Sequence, residues 1–311
     1  MLLNLELITD SCDQGIPVDQ VFLDLQKAFD KVPHQRLLYK INKMGISGEV
    51  YGWIRSFLED RHQRVGVNQA YSKWTNVKSG VPQGSVLGPL LFIMYINDMP
   101  NNIGACCSIF ADDTKVSQNI YTEEDALKLQ RDLKKLEEWT DTWKLSFNAT
   151  KCKVIHFGSK NKNYDYFMKG QQLEKVETEK DLGAVVSFDL KVEPNVLHHV
   201  TKANKMVGLI RRTFSFLNKD MFLALYKAYV RPHLEYCQQA FYPHLQKDKD
   251  LLEGVQRRAT KLVQSIEDLS YPDRLKELDL YTLEQRRHRG DMITVFKIIQ
   301  GMMNVDMSKN F

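Results

Sequence analysis

Cysteine is scarce in this sequence, and its placement excludes two classes of protein. Only five of the 311 residues are cysteine, and the one close pair, Cys106 and Cys107, is adjacent in the chain. Adjacent thiols suit neither a tetrahedral zinc site nor an easy disulfide. We therefore expect neither a zinc module nor a disulfide-stapled secreted domain, and we predict reduced intracellular thiols.

Long apolar runs are missing as well. No run approaches the roughly 20 apolar residues that span a bilayer, and Asn4, Glu6 and Asp10 interrupt any signal-peptide core near the first residue. The sequence also has no internal repeat and no low-complexity tract. These absences predict a soluble chain inside the cell, in the nucleus or the cytoplasm, that is neither secreted nor attached to a membrane.

The remaining composition is that of ordinary globular protein, with 43% apolar and 26% charged residues. Basic residues exceed acidic ones only slightly, 43 against 39, but residues 195–311 carry 19 Lys and Arg against 13 Asp and Glu. A more acidic first part and a basic second part suit catalysis followed by nucleic-acid binding. A mildly basic surface without consequence fits the same counts.

Two adjacent aspartates, Asp112 and Asp113, follow the apolar run that ends at Phe110 and precede a second strand-like stretch. This pattern predicts a tight β-hairpin with carboxylates at its tip. Like charges about 4 Å apart repel by roughly 4 kcal/mol at an effective dielectric constant near 20, so a divalent cation is an attractive partner. By itself, however, an Asp-Asp pair is more often a solvated turn.

A third carboxylate, Asp24, ends the apolar strand-like run 21–25. If this strand lies beside the 110–116 hairpin, Asp24 and Asp112 face one site and can share two Mg²⁺ ions. Two metals about 3.5–4 Å apart stabilise the attacking and leaving oxygens of an in-line phosphoryl displacement. The spacing therefore favours a polymerase or nuclease centre.

Between the carboxylate segments lies the glycine-rich stretch 79–88, which runs into the apolar segment 89–96. We interpret it as a loop that feeds a buried helix, with Gln83 as its one long polar side chain. A loop of this kind is a weak phosphate-site signal, and a plain turn explains it equally well.

Taken in this order, the motifs resemble the reverse transcriptase domain of LINE-type (non-LTR) retrotransposons, in particular of jockey-like and related vertebrate elements. The matching segments, spread over nearly the whole chain, are FLDLQKAFD (22–30), GVPQGS (80–85), FADD (110–113), NATKCK (148–153), KDLG (180–183), LEY (234–236) and QRRA (256–259).

The resemblance implies an α+β fold: a right-hand polymerase palm with partial fingers over 1–190, in which helices pack on an antiparallel sheet, and a helical thumb-like domain over 191–311. It implies an RNA-directed DNA polymerase that joins deoxynucleotides (dNTPs) to the 3′-hydroxyl of a DNA primer on an RNA template. The implied cofactor is Mg²⁺, as two ions, with Mn²⁺ as an alternative. Oligomeric state is not indicated.

The resemblance also implies catalytic roles. Asp24 and Asp112 would ligate both metals, with Asp113 as a weaker or structural partner. Lys151 resembles the lysine that protonates the pyrophosphate leaving group, although a lysine after a turn is ordinarily a solvated charge.

Further residues would bind substrates. Phe29 resembles the bulky gate that excludes a ribose 2′-hydroxyl, and a core aromatic is the alternative. Gln83 would contact the templating pair or the incoming nucleotide, while Gly84 would let the backbone approach closely. Leu182 and Gly183 resemble the segment that grips the primer end.

Other residues are predicted to have structural roles. Trp53 falls on the apolar stripe of an expected helix over 51–58. Thr122 is the expected N-cap of a second helix, which begins directly after Thr122. The adjacent His198 and His199 have no ligand partner at metal spacing, so we expect them at the surface. Three arginine pairs, 211–212, 257–258 and 286–287, suit phosphate contacts and intrahelical salt bridges equally well.

One departure bears on function. Only 23 residues precede Asp24, and none resembles the basic finger motifs of the family. We therefore expect the palm and thumb of an element truncated at its N-terminus. The intact carboxylates favour a polymerase, while the missing fingers favour an inactive relic that folds and binds nucleic acid without polymerising.

Overall fold

The computed structural model describes residues 2–303 and divides the chain into two units. One unit is Glu6–Glu177, and the other is Met1–Leu5 with Thr178–Phe311, of which the structure describes 2–5 and 178–303. The units meet at 177/178, whereas the sequence predicted a boundary at 190/191. A β-hairpin lies between these two positions. The hairpin belongs with the second unit, where the Val185 amide donates to Asn195 Oδ1 at 3.0 Å.

The elements up to residue 177 are mixed. The helices are α1 (Leu2–Asp13), α2 (Ala28–Lys31), α3 (His34–Lys43), α4 (Gly48–Leu58), α5 (Leu87–Ile96) and α6 (Glu123–Trp143), with a 3₁₀ turn at Met99–Asn102. The strands are β1 (Val18–Asp24), β2 (His62–Gln63), β3 (Gly66–Val67), β4 (Ala70–Tyr71), β5 (Thr75–Asn76), β6 (Cys106–Phe110), β7 (Asp113–Asn119), β8 (Lys153–Phe157), β9 (Phe167–Met168), β10 (Gln171–Gln172) and β11 (Glu174–Lys175).

A five-stranded sheet in the order β11-β8-β1-β7-β6 forms the centre of this unit. Its pairings are antiparallel except for β11 with β8. The central strand β1 is mostly buried: Val18 and Val21 are fully buried and Leu23 is 3% exposed, as expected for a strand covered on both faces. The α+β prediction, an antiparallel sheet packed with helices, is confirmed.

Helices cover the sheet and close its core. Helix α6 begins at a capping box between Thr122 and Asp125, as the sequence predicted, and buries Leu129, Leu133 and Leu136 against the core. The prediction for Trp53 was wrong, because this side chain on α4 is 58% exposed while Ile54 and Leu58 are buried.

The second unit is mainly helical. After the hairpin of β12 (Thr178–Asp181) and β13 (Ala184–Ser187), its helices are α7 (Glu193–Thr213), α8 (Lys219–Leu225), α9 (Arg231–Leu234), α10 (Gln246–Thr260), α11 (Tyr271–Glu277) and α12 (Leu283–Ile299), with a π turn at Tyr226–Val230 and a 3₁₀ turn at Gln264–Ile266. They enclose an apolar core of their own.

One surface expectation for this unit was wrong. His199 is only 4% exposed, because the inner face of α7 also carries Val196, Val200 and Ala203. Its ring stacks on Tyr236, with 5.0 Å between ring centroids. In the third arginine pair, Arg287 of α12 is 2% exposed, and its half-buried neighbour Arg286 forms an ion pair with Glu235, which lies outside that helix.

Within residues 2–303, none of the helices is both long enough and apolar enough to cross a bilayer.

Candidate active site

The two aspartates lie at a tight hairpin, as predicted, but not symmetrically. Strand β6 ends at Phe110, the two-residue loop is Ala111 and Asp112, and Asp113 is already the first residue of β7. Ala111 has a φ of 52°, which places the turn in the left-handed region. Asp112 is therefore the carboxylate at the tip, while Asp113 belongs to the ladder.

Asp24 ends the strand beside this hairpin. In the β1–β7 register its Cα pairs with that of Asp113. Beyond β1 the chain continues alongside a second segment: the Asn148 amide donates to the Asp24 carbonyl at 2.8 Å, and the Gln26 amide donates to the Ser146 carbonyl at 2.8 Å. These backbone bonds fix the 146–148 segment next to the end of β1.

The side chains at these ends surround one open cavity of about 420 Å³. Asp24 and Asp112 both line it, so the structure brings together the two carboxylates that the sequence assigned to metal binding. The other lining residues that carry chemistry are Gln26, Lys27, Phe29, Gln83, Asn148 and Lys151. Asp113, by contrast, does not line the cavity.

Lys151 reaches the cavity from the turn after Asn148, where its amide donates to the Asn148 carbonyl at 2.9 Å. Its ammonium nitrogen Nζ lies 3.7 Å from Asp24 Oδ2, with 65% of the lysine side chain exposed. The next residue, Cys152, is fully buried, and burial raises the pKa of its thiol to about 11. Lys151 is thus an exposed cation on a turn that a backbone hydrogen bond and the buried Cys152 hold in place.

Phe29 stands at the cavity wall and also contacts the core. Its ring stacks on Phe92, with 4.4 Å between centroids and 21° between planes, and its side chain is half-buried. Both roles that the sequence left open are compatible with this placement, since the side chain lines the cavity and its ring packs on a core residue.

Gln83 and Gly84 form the exposed end of the glycine-rich loop. Gln83 Nε2 donates to Asp30 Oδ1 at 3.3 Å, and its side chain lines the cavity. Gly84 has a φ of 80°, and a Cβ there would meet nothing within 4 Å. Glycine is therefore required at 84 by backbone conformation, and the open space in front of it leaves room for a ligand.

Leu182 and Gly183 lie in the other unit, as the two-residue loop between β12 and β13. Both have positive φ, 45° and 90°, as a type I′ turn needs. Tyr236 donates a hydrogen bond to the Leu182 carbonyl, and a Cβ at Gly183 would lie 2.7 Å from the Tyr236 hydroxyl. The turn is therefore fixed by a tyrosine of the helical region.

The donor atoms at the cavity suit a magnesium ion. Mg²⁺ prefers oxygen ligands and is commonly held by one or two carboxylates, with waters and substrate phosphates completing its shell. Asp24 and Asp112 supply the two carboxylates. Within residues 2–303 no group of three or more His, Cys, Asp or Glu side chains is arranged to hold a metal by itself. The residues present thus fit a metal that is shared with a phosphate substrate, rather than a closed protein cage.

Two features of this region were not predicted from the sequence: two polar residues that line the cavity, and a buried aspartate on β1. Asn148 and Gln26 line the cavity, and the NATKCK segment was the only signal for Asn148. On β1, Asp19 is fully buried and lies 2.6 Å from His156 Nδ1 and 2.6 Å from the Tyr166 hydroxyl. No local pattern pointed to this buried polar group, because its partners are more than 130 residues away in sequence.

Comparison with known proteins identifies the family. The profile of the family "Reverse transcriptase (RNA-dependent DNA polymerase)" matches residues 20–191, which is more than half of the chain. The chain is 33% identical over 239 residues to the RNA-directed DNA polymerase from mobile element jockey of Drosophila funebris, covering 71% of this chain and 25% of that protein. It is 28% identical over 275 residues to the probable RNA-directed DNA polymerase from transposon X-element of Drosophila melanogaster, covering 84% and 30%.

The chain spans about a quarter to a third of the length of these curated relatives. Among solved structures, apo telomerase from Candida Tropicalis aligns with a TM-score of 0.47 at 10% identity, over 86% of this chain and 45% of that chain. The family profile and the jockey and X-element relatives confirm the resemblance to non-LTR retrotransposon polymerases. This chain belongs to the reverse transcriptase (RNA-dependent DNA polymerase) family.

Proposed function

We propose that this chain carries the nucleotidyl-transfer centre of an RNA-directed DNA polymerase, which adds dNTPs to the 3′-hydroxyl of a DNA primer on an RNA template. The observation that carries the proposal is the meeting of Asp24, Asp112 and Lys151 at one cavity of about 420 Å³. Two carboxylates and one cation at an open cavity suit a metal-assisted phosphoryl transfer.

The carboxylates of Asp24 and Asp112 would hold two Mg²⁺ ions, or Mn²⁺ in their place, together with the triphosphate of the incoming nucleotide. When bound, the metal supplies positive charge that stabilises the attacking and leaving oxygens. Asp113 pairs with Asp24 across the β1–β7 ladder, so its role in this proposal is to support the ligand strand.

The remaining cavity residues would position the nucleotide. Lys151, whose exposed ammonium lies beside Asp24, would donate a proton to the departing pyrophosphate. Phe29 would exclude a ribose 2′-hydroxyl from the cavity wall. Gln83 and the open space before Gly84 would receive the templating pair.

The proposal also assigns roles to the two regions of the chain and a cellular compartment to the reaction. The 1–190 and 191–311 regions would act as palm and thumb, and the Leu182-Gly183 turn would grip the primer end. RNA and dNTPs are intracellular compounds, so the reaction would run in the nucleus or the cytoplasm.

Primer extension tests the proposal. We would follow extension of a DNA primer on an RNA template with Mg²⁺ and dNTPs for the wild type, for Asp112→Asn and for Asp141→Asn. Asp141 is a matched control because its side chain lies on α6 and is 73% exposed. Extension by the wild type and Asp141→Asn, but not by Asp112→Asn, is expected. Equal extension by Asp112→Asn would overturn the metal-ligand role, and failure of all three chains would favour the inactive relic.

A metal titration provides a second measurement that does not depend on activity. Binding to the folded state alone stabilises a protein by about 2.7 kcal/mol at a ligand concentration 100 times Kd. We expect the unfolding temperature of the wild type to rise with Mg²⁺, and a weaker rise in Asp112→Asn. Identical titrations of the two chains would show that Asp112 does not bind the metal.

A further inference from the structure

A basic hairpin formed by residues 61–78 extends from the Glu6–Glu177 unit. Its eighteen residues include four basic side chains, Arg61, Arg64, Lys73 and Lys78, and no Asp or Glu. Strands β2 and β5 pair near its base, and β3 and β4 pair near its tip. Every residue from 62 to 76 is exposed, although an isolated two-stranded hairpin gains little stability in water.

Local contacts nevertheless hold the hairpin in one shape. Between the two strand pairs, the Ser72 amide donates to the Val65 carbonyl at 2.8 Å, and the Val65 amide donates to Ser72 Oγ at 2.9 Å. At the base, the Val77 amide donates to the Arg61 carbonyl at 2.8 Å. Both faces are therefore available to a ligand without loss of the backbone pairing.

The hairpin carries two exposed aromatic rings, Tyr71 and Trp74, that share one cation, Arg64. The Arg64 guanidinium carbon lies 4.0 Å from the centre of the Tyr71 ring and 4.7 Å from that of the Trp74 ring. Tyr71 is 63% exposed and Trp74 is 61% exposed. Gly66 lies next to the tyrosine, where a Cβ would be 2.9 Å from a ring carbon, so the ring packs against the backbone at this glycine. Each ring thus has packing partners within the hairpin, yet a large part of its surface faces solvent.

A basic cavity adjoins the base of the hairpin. Its volume is about 740 Å³, and its charged lining consists of Lys27, Lys31, Arg61 and Lys78 with a single carboxylate, Asp30. Gln83 and Lys27 line both this cavity and the one that holds Asp24 and Asp112. The basic surface is therefore continuous with the candidate active site.

We propose that Tyr71, Arg64 and Trp74 form a stacking platform for unpaired bases of a single-stranded nucleic acid, whose phosphates follow Arg61 and Lys78 toward the active-site cavity. The inference rests on the proposed function, for which it names the surface that holds the template before it is copied. Aromatic rings beside cations bind single strands because every base has a π face and every nucleotide a negative phosphate.

The charge and the geometry select this partner over two others. A protein partner would be expected to meet paired charges of both signs, whereas the hairpin has cations only. A duplex hides its base faces in its own stack, so it can use the cations but not the rings. Single-stranded RNA or DNA satisfies both features at once.

Binding of a labelled single-stranded RNA oligonucleotide, followed by fluorescence anisotropy with the full chain, tests the platform. Trp74→Ala and Tyr71→Ala are each expected to raise Kd about tenfold, the size of one lost base stack, and Trp74→Phe to keep Kd within threefold. Trp53→Ala is the matched control, since this tryptophan is also exposed, at 58%, but lies on α4. Binding of a duplex of the same sequence should not distinguish these chains.

The salt dependence separates stacking from phosphate contact. Losing a phosphate contact lowers the slope of log Kd against log salt by about 0.7 for single strands. We expect Arg61→Gln and Lys78→Gln each to lower the slope by about this amount, and Trp74→Ala to leave it unchanged. Thermal unfolding of every variant in the absence of RNA verifies that the unit is folded.

The outcomes distinguish this inference from the proposed function. Binding by Trp74→Ala and Tyr71→Ala as tight as that of Trp53→Ala would overturn the platform, even if primer extension succeeds. Failure of the wild type to bind single-stranded RNA would overturn it as well. Platform-dependent binding without any extension would retain the platform and reject the polymerase, because binding requires neither metal nor Asp112.

Discussion

The ammonium of Lys151 lies 3.7 Å from the carboxylate of Asp24. The two residues are more than 120 positions apart, and the contact exists because the segment after α6 pairs with the backbone beyond β1. A cation held this close to a proposed metal ligand can balance its charge before metal binds, and can turn to the substrate afterwards, since 65% of the lysine side chain is exposed.

Removing the charge of Lys151 is expected to slow chemistry more than binding. Loss of a positioned general acid lowers a rate by about 10²–10⁴-fold, so Lys151→Met should reduce the single-turnover rate of nucleotide addition by at least 10²-fold. Lys134→Met, an exposed lysine on α6, should leave the rate unchanged. Rates of Lys151→Met within threefold of the wild type would show that this lysine is only a solvated charge.

Phe29 can be tested as a gate separately from its role in the core. Phe29→Val should raise the use of ribonucleotides relative to deoxynucleotides, measured as the ratio of the two kcat/KM values. Phe92→Leu removes the stacking partner, which is fully buried and does not line the cavity. That variant should lose about 1 kcal/mol of stability and keep its sugar selectivity. A selectivity change in both variants would assign Phe29 to packing.

The buried Asp19 is expected to matter for stability. It contacts His156, Tyr166 and Asn161, the last through Nδ2 at 2.7 Å. Replacing one member of a buried polar network leaves the others unsatisfied, and Asp19→Ala should lower the free energy of unfolding by about 3 kcal/mol. Asp165→Ala, at an aspartate whose side chain is 52% exposed, should change it by less than about 1 kcal/mol. Denaturant titration measures both, and equal effects would contradict the network.

The helical unit should lose stability in acid through His199. Burial, together with the neighbouring His198 and Lys202, lowers the pKa of this imidazole to about 4, below its usual 6.5 in an unfolded chain. His233 and Lys180 face it as further positive groups. As the pH falls, the unfolded chain takes up this proton at a higher pH than the folded chain does. The free energy of unfolding therefore keeps its full value above pH 6.5 and decreases as the pH falls from 6.5 toward 4.

With screening by solvent allowed for, we expect a loss of about 1–2 kcal/mol between pH 6.5 and pH 4 that is absent in His199→Phe. Denaturant unfolding of both chains at several pH values measures it. The phenylalanine can keep the ring contact with Tyr236, so the comparison isolates the titration. Parallel pH profiles for the two chains would show that another group is responsible.

Local patterns were sufficient for much of the architecture. Apolar runs predicted β1 and the β6–β7 hairpin, and a capping residue predicted the start of α6 at Thr122. These elements depend on interactions within a few residues, which the sequence displays directly. Patterns failed where a side chain's exposure depends on distant elements: Trp53 lies in solvent, whereas His199 is buried.

For the candidate site, the sequence by itself determined the family, the residue types and their order along the chain, because motifs such as FADD and GVPQG carry that information locally. Tertiary structure alone decided which of these residues meet. Backbone pairing of β1 with β7 and with the 146–148 segment brings Asp24, Asp112 and Lys151 to one cavity and leaves Asp113 on the ladder. Strand register and long-range hydrogen bonds determine which residues line the cavity, because they join segments that no local sequence pattern connects.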